Sequence, residues 1–154
     1  MNHWLMKSEP ETFGIDALAK SPRRTTHWDG VRNFQARNFM RDQMRIGDLA
    51  FFYHSNCVEP GIVGIVKIVK AGYPDHSAFD PKDKHYDPDS DRDKPRWYMV
   101  DVRLQRKLKR PIALTTLREH SNGALKGMAL LKRGNRLSIT PVSAAHWQFI
   151  LSLE

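Results

Sequence analysis

The chain of 154 residues holds a single cysteine, Cys57. One thiol closes no intrachain disulfide and builds no zinc cluster, which points to a reducing, cytoplasmic setting. No window approaches the ~18 apolar residues of a membrane helix, so no membrane partner is expected. The opening stretch MNHWLMKSEP has no long apolar run ahead of its charges, and the expectation is that no secretory signal is present. A G-x-S-x-G turn for a nucleophilic serine is missing, as is any glycine-rich loop able to cradle a triphosphate. The seven histidines include no i, i+4 pair. DPDSDRDK (87–94) imitates a calcium loop, yet Arg92 and Tyr98 stand where glycine and glutamate belong. These absences argue against a metal and against a bound cofactor.

What is present is ordinary globular material with an excess of positive charge. Hydrophobic residues make up 40% of the chain and charged residues 27%, which suits one folded domain over 1–154 rather than a disordered segment. A globule of this length buries roughly 70% of its unfolded surface, enough to stand as a monomer without disulfides or metals. The net charge is +8 and the isoelectric point about 9.8. Such a balance is the electrostatic footprint of a nucleic-acid binder, although many basic proteins bind none. The distribution is informative too. Residues 73–95 hold seven aspartates against four basic residues, whereas Arg96–Arg136 holds eleven basic residues against Asp101 and Glu119. A positive face and a separate acidic lobe follow.

Periodicity outlines the elements. HWLMK (3–7), DLAFFYH (48–54), GIVGIVKIVKAGY (61–73), WYMVDVRLQRKL (97–108) and RLSITPV (136–142) read as strands, with Gly64 marking a bulge or a close backbone approach. IDALAK (15–20), residues 34–43 behind an Asn33 cap, LTTLREH (114–120), a turn in ALKGMALL (124–131) and SAAHWQFILSL (143–153) read as helices. SPRRTTHWDG (21–30) and residues 74–95 read as loops. Short helices interrupting antiparallel-type strands suggest one α+β, barrel-like domain.

Several stretches carry candidate chemistry. HWDGVRNFQARN (27–38) packs an indole, a tight Asp-Gly turn, two asparagines and two arginines into twelve residues. Trp4 and Trp147 lie in apolar surroundings and read as core. Trp28 and Trp97 have few apolar neighbours in sequence, and an aromatic ring beside basic side chains can stack on a base. Together they predict a hollow between two indoles, sized for one planar heterocycle. Asn33 and Asn56 present the planar donor and acceptor pair that reads a base edge, with Asn33 equally able to cap a helix; Asn38 reads as an exposed helical residue. RGNR (133–136) suits gripping a phosphate or a base edge. KSE (7–9) offers an amine, a hydroxyl and a carboxylate, but neighbours on a strand point in alternating directions, so the three should not converge.

WLMKSEP (4–10), HWDGVRNFQARN (27–38), FFYHSNCVEPGIVGI (51–65), FDP (79–81), YDP (86–88), RWYMVDV (96–102) and LLKRGNRLSITPV (130–142) together resemble an EVE domain, in order and spacing through nearly the whole chain. The resemblance implies a PUA-like fold, a mixed β-barrel with peripheral helices related to the YTH readers of methylated adenine. It also implies a pocket for a modified base, with modified cytosine in DNA or RNA as the leading class. Carried over position by position, that pocket would use Lys7, Ser8, Trp28, Asn33, Ser55, Asn56 and Trp97, with Arg32, Arg133 and Arg136 on the phosphate side. Related PUA-like families include amidohydrolases of acylated cytidine, so the alternative is a small hydrolase of a modified nucleoside. A third reading is a basic protein-interaction or ribosome-associated module.

Overall fold

Alternation along the strands divides the interior in two. In the computed structural model, which describes residues 1–154, Trp4, Met6, Ala50 and Phe52 join one hydrophobic cluster, while Leu5, Phe51 and Tyr53 between them join another. Successive side chains on a strand face opposite ways, so the two strands that carry these residues each supply both clusters. The strands are β1 (His3–Ser8), β2 (Thr25–His27), β3 (Leu49–His54), β4 (Gly61–Pro74), β5 (Tyr98–Ala113) and β6 (Ile139–Val142). They form one six-stranded sheet in the order β2-β5-β4-β3-β1-β6. β1 and β3 pair in parallel; the other neighbours are antiparallel.

Helices cover both faces. α1 (Pro10–Phe13), α2 (Ile15–Lys20) and α3 (Phe34–Asn38) lie on the side of the first cluster, through Phe13, Ile15, Leu18 and Ala36. α4 (Leu114–Arg118) and α5 (Ala144–Ser152) close the second through Leu117, Trp147 and Ile150. The expected Ser143 cap is in place, its hydroxyl accepting from the His146 amide at 3.1 Å. The helix expected over 34–43 is α-helical only to Asn38 and continues as a π-helical turn, Phe39–Gln43, closed by Met44 N–H on the Phe39 carbonyl at 2.8 Å.

The sheet curls. β2 and β3 are separated by two strands, about 14 Å if the sheet were flat at ~4.8 Å per strand. Yet Trp28, one residue past β2, packs edge-on against Phe52 of β3 with ring centroids 5.5 Å apart. Curling brings the two edges of the sheet towards each other, and that is what creates a cavity at one end.

Three sequence expectations need correction. SPRRTTHWDG is not all loop: Thr25–His27 form β2 against Asp101–Arg103. The β-branched threonines suit an edge strand, and Arg23 and Arg24, with φ of 57° and 53°, turn the chain into it. ALKGMALL forms turns and a short 3₁₀ segment (Ala129–Leu131) instead of an α-helical turn, with Gly127 at φ +82° breaking the run. β5 runs on to Ala113, beyond the expected end at 108, because it keeps pairing with the start of β4. Gly64 does sit at a register shift, and a Cβ there would collide with the Ile15 side chain.

Candidate nucleic-acid site

Where the sheet edges approach, a cavity of about 640 Å³ opens. Its walls come from the end of β1 (Lys7, Ser8), from His27–Arg32 after β2, from a lip at Lys82–His85, and from Ser138 just ahead of β6. The volume falls within the usual range for small-molecule sites. Phe13, Trp28 and Val31 give it an apolar patch; the remaining lining is polar, with Lys7, Arg32, Lys82 and Lys84 outnumbering Asp29 and Asp83.

Backbone hydrogen bonds fix the Trp28 wall. The Trp28 amide donates to Val100 of β5 at 2.8 Å, so the residue continues the edge of the sheet. The chain then turns at Gly30, whose φ of +77° only glycine adopts without strain. The Gly30 amide donates to Asp75 Oδ2 at 2.8 Å. Asp75 is fully buried and also accepts from the Ser77 amide (2.8 Å), the Ser77 hydroxyl (2.6 Å) and Arg32 Nη1 (3.0 Å). Burial pushes the Asp75 carboxyl up, but hydrogen bonds from Ser77, Gly30 and Arg32 outweigh it and hold the group below the usual range.

Arg32 carries the tie onward. Its Nε and Nη2 donate to the His85 carbonyl at 3.1 and 2.7 Å, which clamps the lip over the loop. The His85 ring lies so close over Gly30 that a Cβ there would sit 2.6 Å from it. On the opposite wall, burial pushes the Lys7 ammonium below its ordinary value, and the Ser8 hydroxyl donates to the Phe13 carbonyl at 2.6 Å. At the mouth, His27 Nδ1 lies 2.9 Å from Asp101 Oδ1, and the Tyr73 hydroxyl donates to the same oxygen. Burial, together with that bond, pushes the Tyr73 hydroxyl well up.

Of the residues singled out in the sequence, Lys7, Ser8, Trp28 and Arg32 meet at this cavity. The others do not line it. Trp97 was expected as the second stacking wall, but both its surroundings and its polar edge are taken. Phe34 stacks on it at 4.8 Å, Arg32 lies 5.2 Å from its ring centroid, and its Nε1–H donates to Asp87 at 2.6 Å. The hollow between two indoles is therefore a hollow beside one. Asn33 is the helix cap, its Oδ1 accepting from the Ala36 amide at 3.0 Å. Asn56 is exposed at φ +53° with its amide donating to Glu9 Oε1 at 3.2 Å, and Ser55 is held by its own amide on the Ser8 carbonyl. Arg32, expected to face a phosphate, has every guanidinium nitrogen on a protein acceptor. Arg133 and Arg136 are exposed on the loop leading to Ser138. Glu9 does not join Lys7 and Ser8 at the cavity, so the three groups of KSE do not converge.

The lip and its anchors escaped the sequence reading. Asp75, Lys82, Lys84 and His85 lie in a stretch whose net acidity masked its two cavity-facing lysines. A signal was available: Asp75 followed two residues later by Ser77, right after a strand, is the pattern of a side-chain-to-backbone turn. No helix is long and apolar enough to cross a membrane.

Comparison with known proteins places the chain. The EVE domain family model matches residues 2–153. The chain belongs to the EVE domain family. Thymocyte nuclear protein 1 of Danio rerio is 52% identical across 99% of this chain and 72% of that protein; the Homo sapiens protein is 51% identical across 99% and 74%. Among solved structures, the human THYN1 protein in complex with 5-methylcytosine-containing DNA superposes with a TM-score of 0.95 at 50% identity, covering 99% of this chain and 97% of that one. A protein from Pseudomonas putida gives 0.92 at 44% identity, covering 98% of each. The α+β, PUA-like architecture expected from the motifs is the one these EVE domains share with this chain.

Proposed function

We propose that this EVE domain is a reader of modified cytosine in DNA, which takes the base out of the stack and seats it in the cavity against Trp28. One observation carries the reading. The one indole on the cavity wall shares that lining with Lys7, Arg32, Lys82 and Lys84, in a fold that superposes on a relative solved with 5-methylcytosine-containing DNA. In this reading Trp28, Phe13 and Val31 supply the apolar contact, Lys7 and Ser8 meet the polar edge, and the Asp29–Gly30 turn offers backbone groups. Arg133 and Arg136 contact phosphates, while Arg32 holds the loop and lip in register.

A methyl group seated in an apolar notch contributes only ~1–3 kcal/mol, so the selectivity over cytosine should be roughly ten- to two-hundredfold at most. Extrusion costs a few kcal/mol of unstacking, which favours flexible sites. Binding across an array of DNA and RNA oligonucleotides, identical but for one modified base, tests the reading. Preference for 5-methylcytosine that persists as salt rises is the expected result. Binding that ignores base identity and vanishes at moderate salt, as simple phosphate neutralisation predicts, would replace it with a generic basic module.

A further inference from the structure

Outside the cavity, one large aromatic side chain stands in solvent among cations. Phe34, the first residue of α3, is 53% exposed. It is not loosely placed. The ring stacks on Trp97 with an interplanar angle of 19°, and the Arg37 guanidinium lies 4.8 Å from its centroid. Arg37 is fixed in turn by Asn38 Oδ1 (2.8 and 3.0 Å) and by the Arg96 carbonyl (2.8 Å), all uncharged acceptors, so it forms no ion pair. Trp97 is pinned through Asp87. At its other end this column reaches Arg32, which lines the cavity. Arg32, Trp97, Phe34 and Arg37 thus form a rigid stack that begins at the rim of the base site and ends in an exposed apolar ring beside an unpaired positive charge.

We infer that Phe34 is the contact for the DNA flanking the extruded nucleotide, its exposed edge wedging into the step that the base vacates, while the Arg37 charge, its nitrogens held on protein acceptors, draws the backbone towards it. The inference rests on the function proposed above. Removing a base from a duplex leaves an unstacked gap, and proteins fill such gaps with apolar side chains. The unpaired guanidinium beside the ring favours a polyanion over an apolar protein partner. Rigidity matters as well: a ring held by its neighbours loses little freedom on insertion.

The test compares wild type, Phe34→Ala and Phe34→Leu on two probes, free 5-methylcytidine and a duplex with one 5-methylcytosine beside a fluorescent 2-aminopurine. Wild type should bind both and brighten the aminopurine as its stack opens. Phe34→Ala should bind the duplex about tenfold more weakly, with little brightening, yet hold the free nucleoside within twofold; Phe34→Leu should recover most of the duplex affinity. Duplex binding by Phe34→Ala equal to wild type would overturn the inference, as would equal losses on both probes, which would make the ring a support for the cavity. A wild-type dimer that Phe34→Ala dissolves would overturn it in favour of a contact between copies. Wild type binding neither probe would refute the proposed function itself, a different pattern from failure at Phe34 alone.

Discussion

Trp28 and Trp97 are almost equally buried, 8% and 6% exposed, and lie on neighbouring parts of the molecule, yet they stand in different kinds of structure. Trp28 is held by the sheet: its amide is in the β5 ladder and its ring rests edge-on against Phe52, a core residue of β3. That leaves part of its surface as a cavity wall. Trp97 is held by side chains, between Phe34 and Arg32 with Asp87 on its indole nitrogen. An indole anchored through backbone can present a surface to a ligand, whereas one anchored through every part of its ring becomes scaffold. Sequence context alone, few apolar neighbours and several basic ones, is the same for both.

Substitutions can break this contrast, and the largest effect is expected at the two indoles. Trp28→Ala and Trp97→Ala should each cost about 3–5 kcal/mol of stability, since both remove a buried aromatic. Only Trp28→Ala should abolish binding of free 5-methylcytidine by the folded fraction; the milder Trp28→Leu separates binding from folding in a calorimetric titration. Next comes Asp75→Ala, which strands Arg32 and frees the lip. Breaking a buried pair costs about 3–5 kcal/mol, and the partial exposure of Arg32 argues for the lower end, or roughly 6–12 °C in Tm by thermal melt. Because hydrogen bonding holds the Asp75 carboxyl below its ordinary 3.8, the stability it contributes is present above that pH and is lost as acid takes the pH through the folded value.

Smaller effects should follow at Lys7 and His54. Lys7→Met removes an ammonium that burial disfavours, so Tm should rise by about 1–3 °C while affinity for the modified base falls several-fold. Unchanged affinity would remove Lys7 from the polar edge of the site. His54 accepts the Ile15 amide through Nε2 at 3.1 Å, and burial pushes its pKa below 6.5. Its contribution is therefore complete above pH 6.5 and declines below it, as the unfolded chain takes up the proton first. His54→Gln should flatten the acid side of the Tm profile by roughly 1–2 °C.

Much of the scaffold was legible because burial leaves a period in the sequence. The alternation in β3 and β5 assigns Phe51 and Phe52, or Val102 and Leu104, to their faces, and Ser143 marks where α5 begins. Part of the cavity lining was legible. Lys7, Ser8 and Trp28 were singled out and do line the cavity, and an Asp-Gly turn beside an indole has a local signature. Trp97, Asn56 and Ser55 lie off the cavity because their partners come from elsewhere in the chain: Phe34 and Asp87 around Trp97, Glu9 on Asn56, Ser8 on Ser55. Asn33 could be a cap or a base reader on sequence alone, and the Ala36 amide settles its side chain as a cap. The lip was missed for the opposite reason, its lysines being outnumbered by the aspartates around them.

The most direct test follows the indole and backbone N–H signals of 15N-labelled protein while free 5-methylcytidine is added. The account predicts shifts at the Trp28 indole and at the Gly30 and Arg32 amides, with the Trp97 indole signal left in place. Shifts centred on Trp97, with Trp28 and Gly30 unmoved, would contradict it.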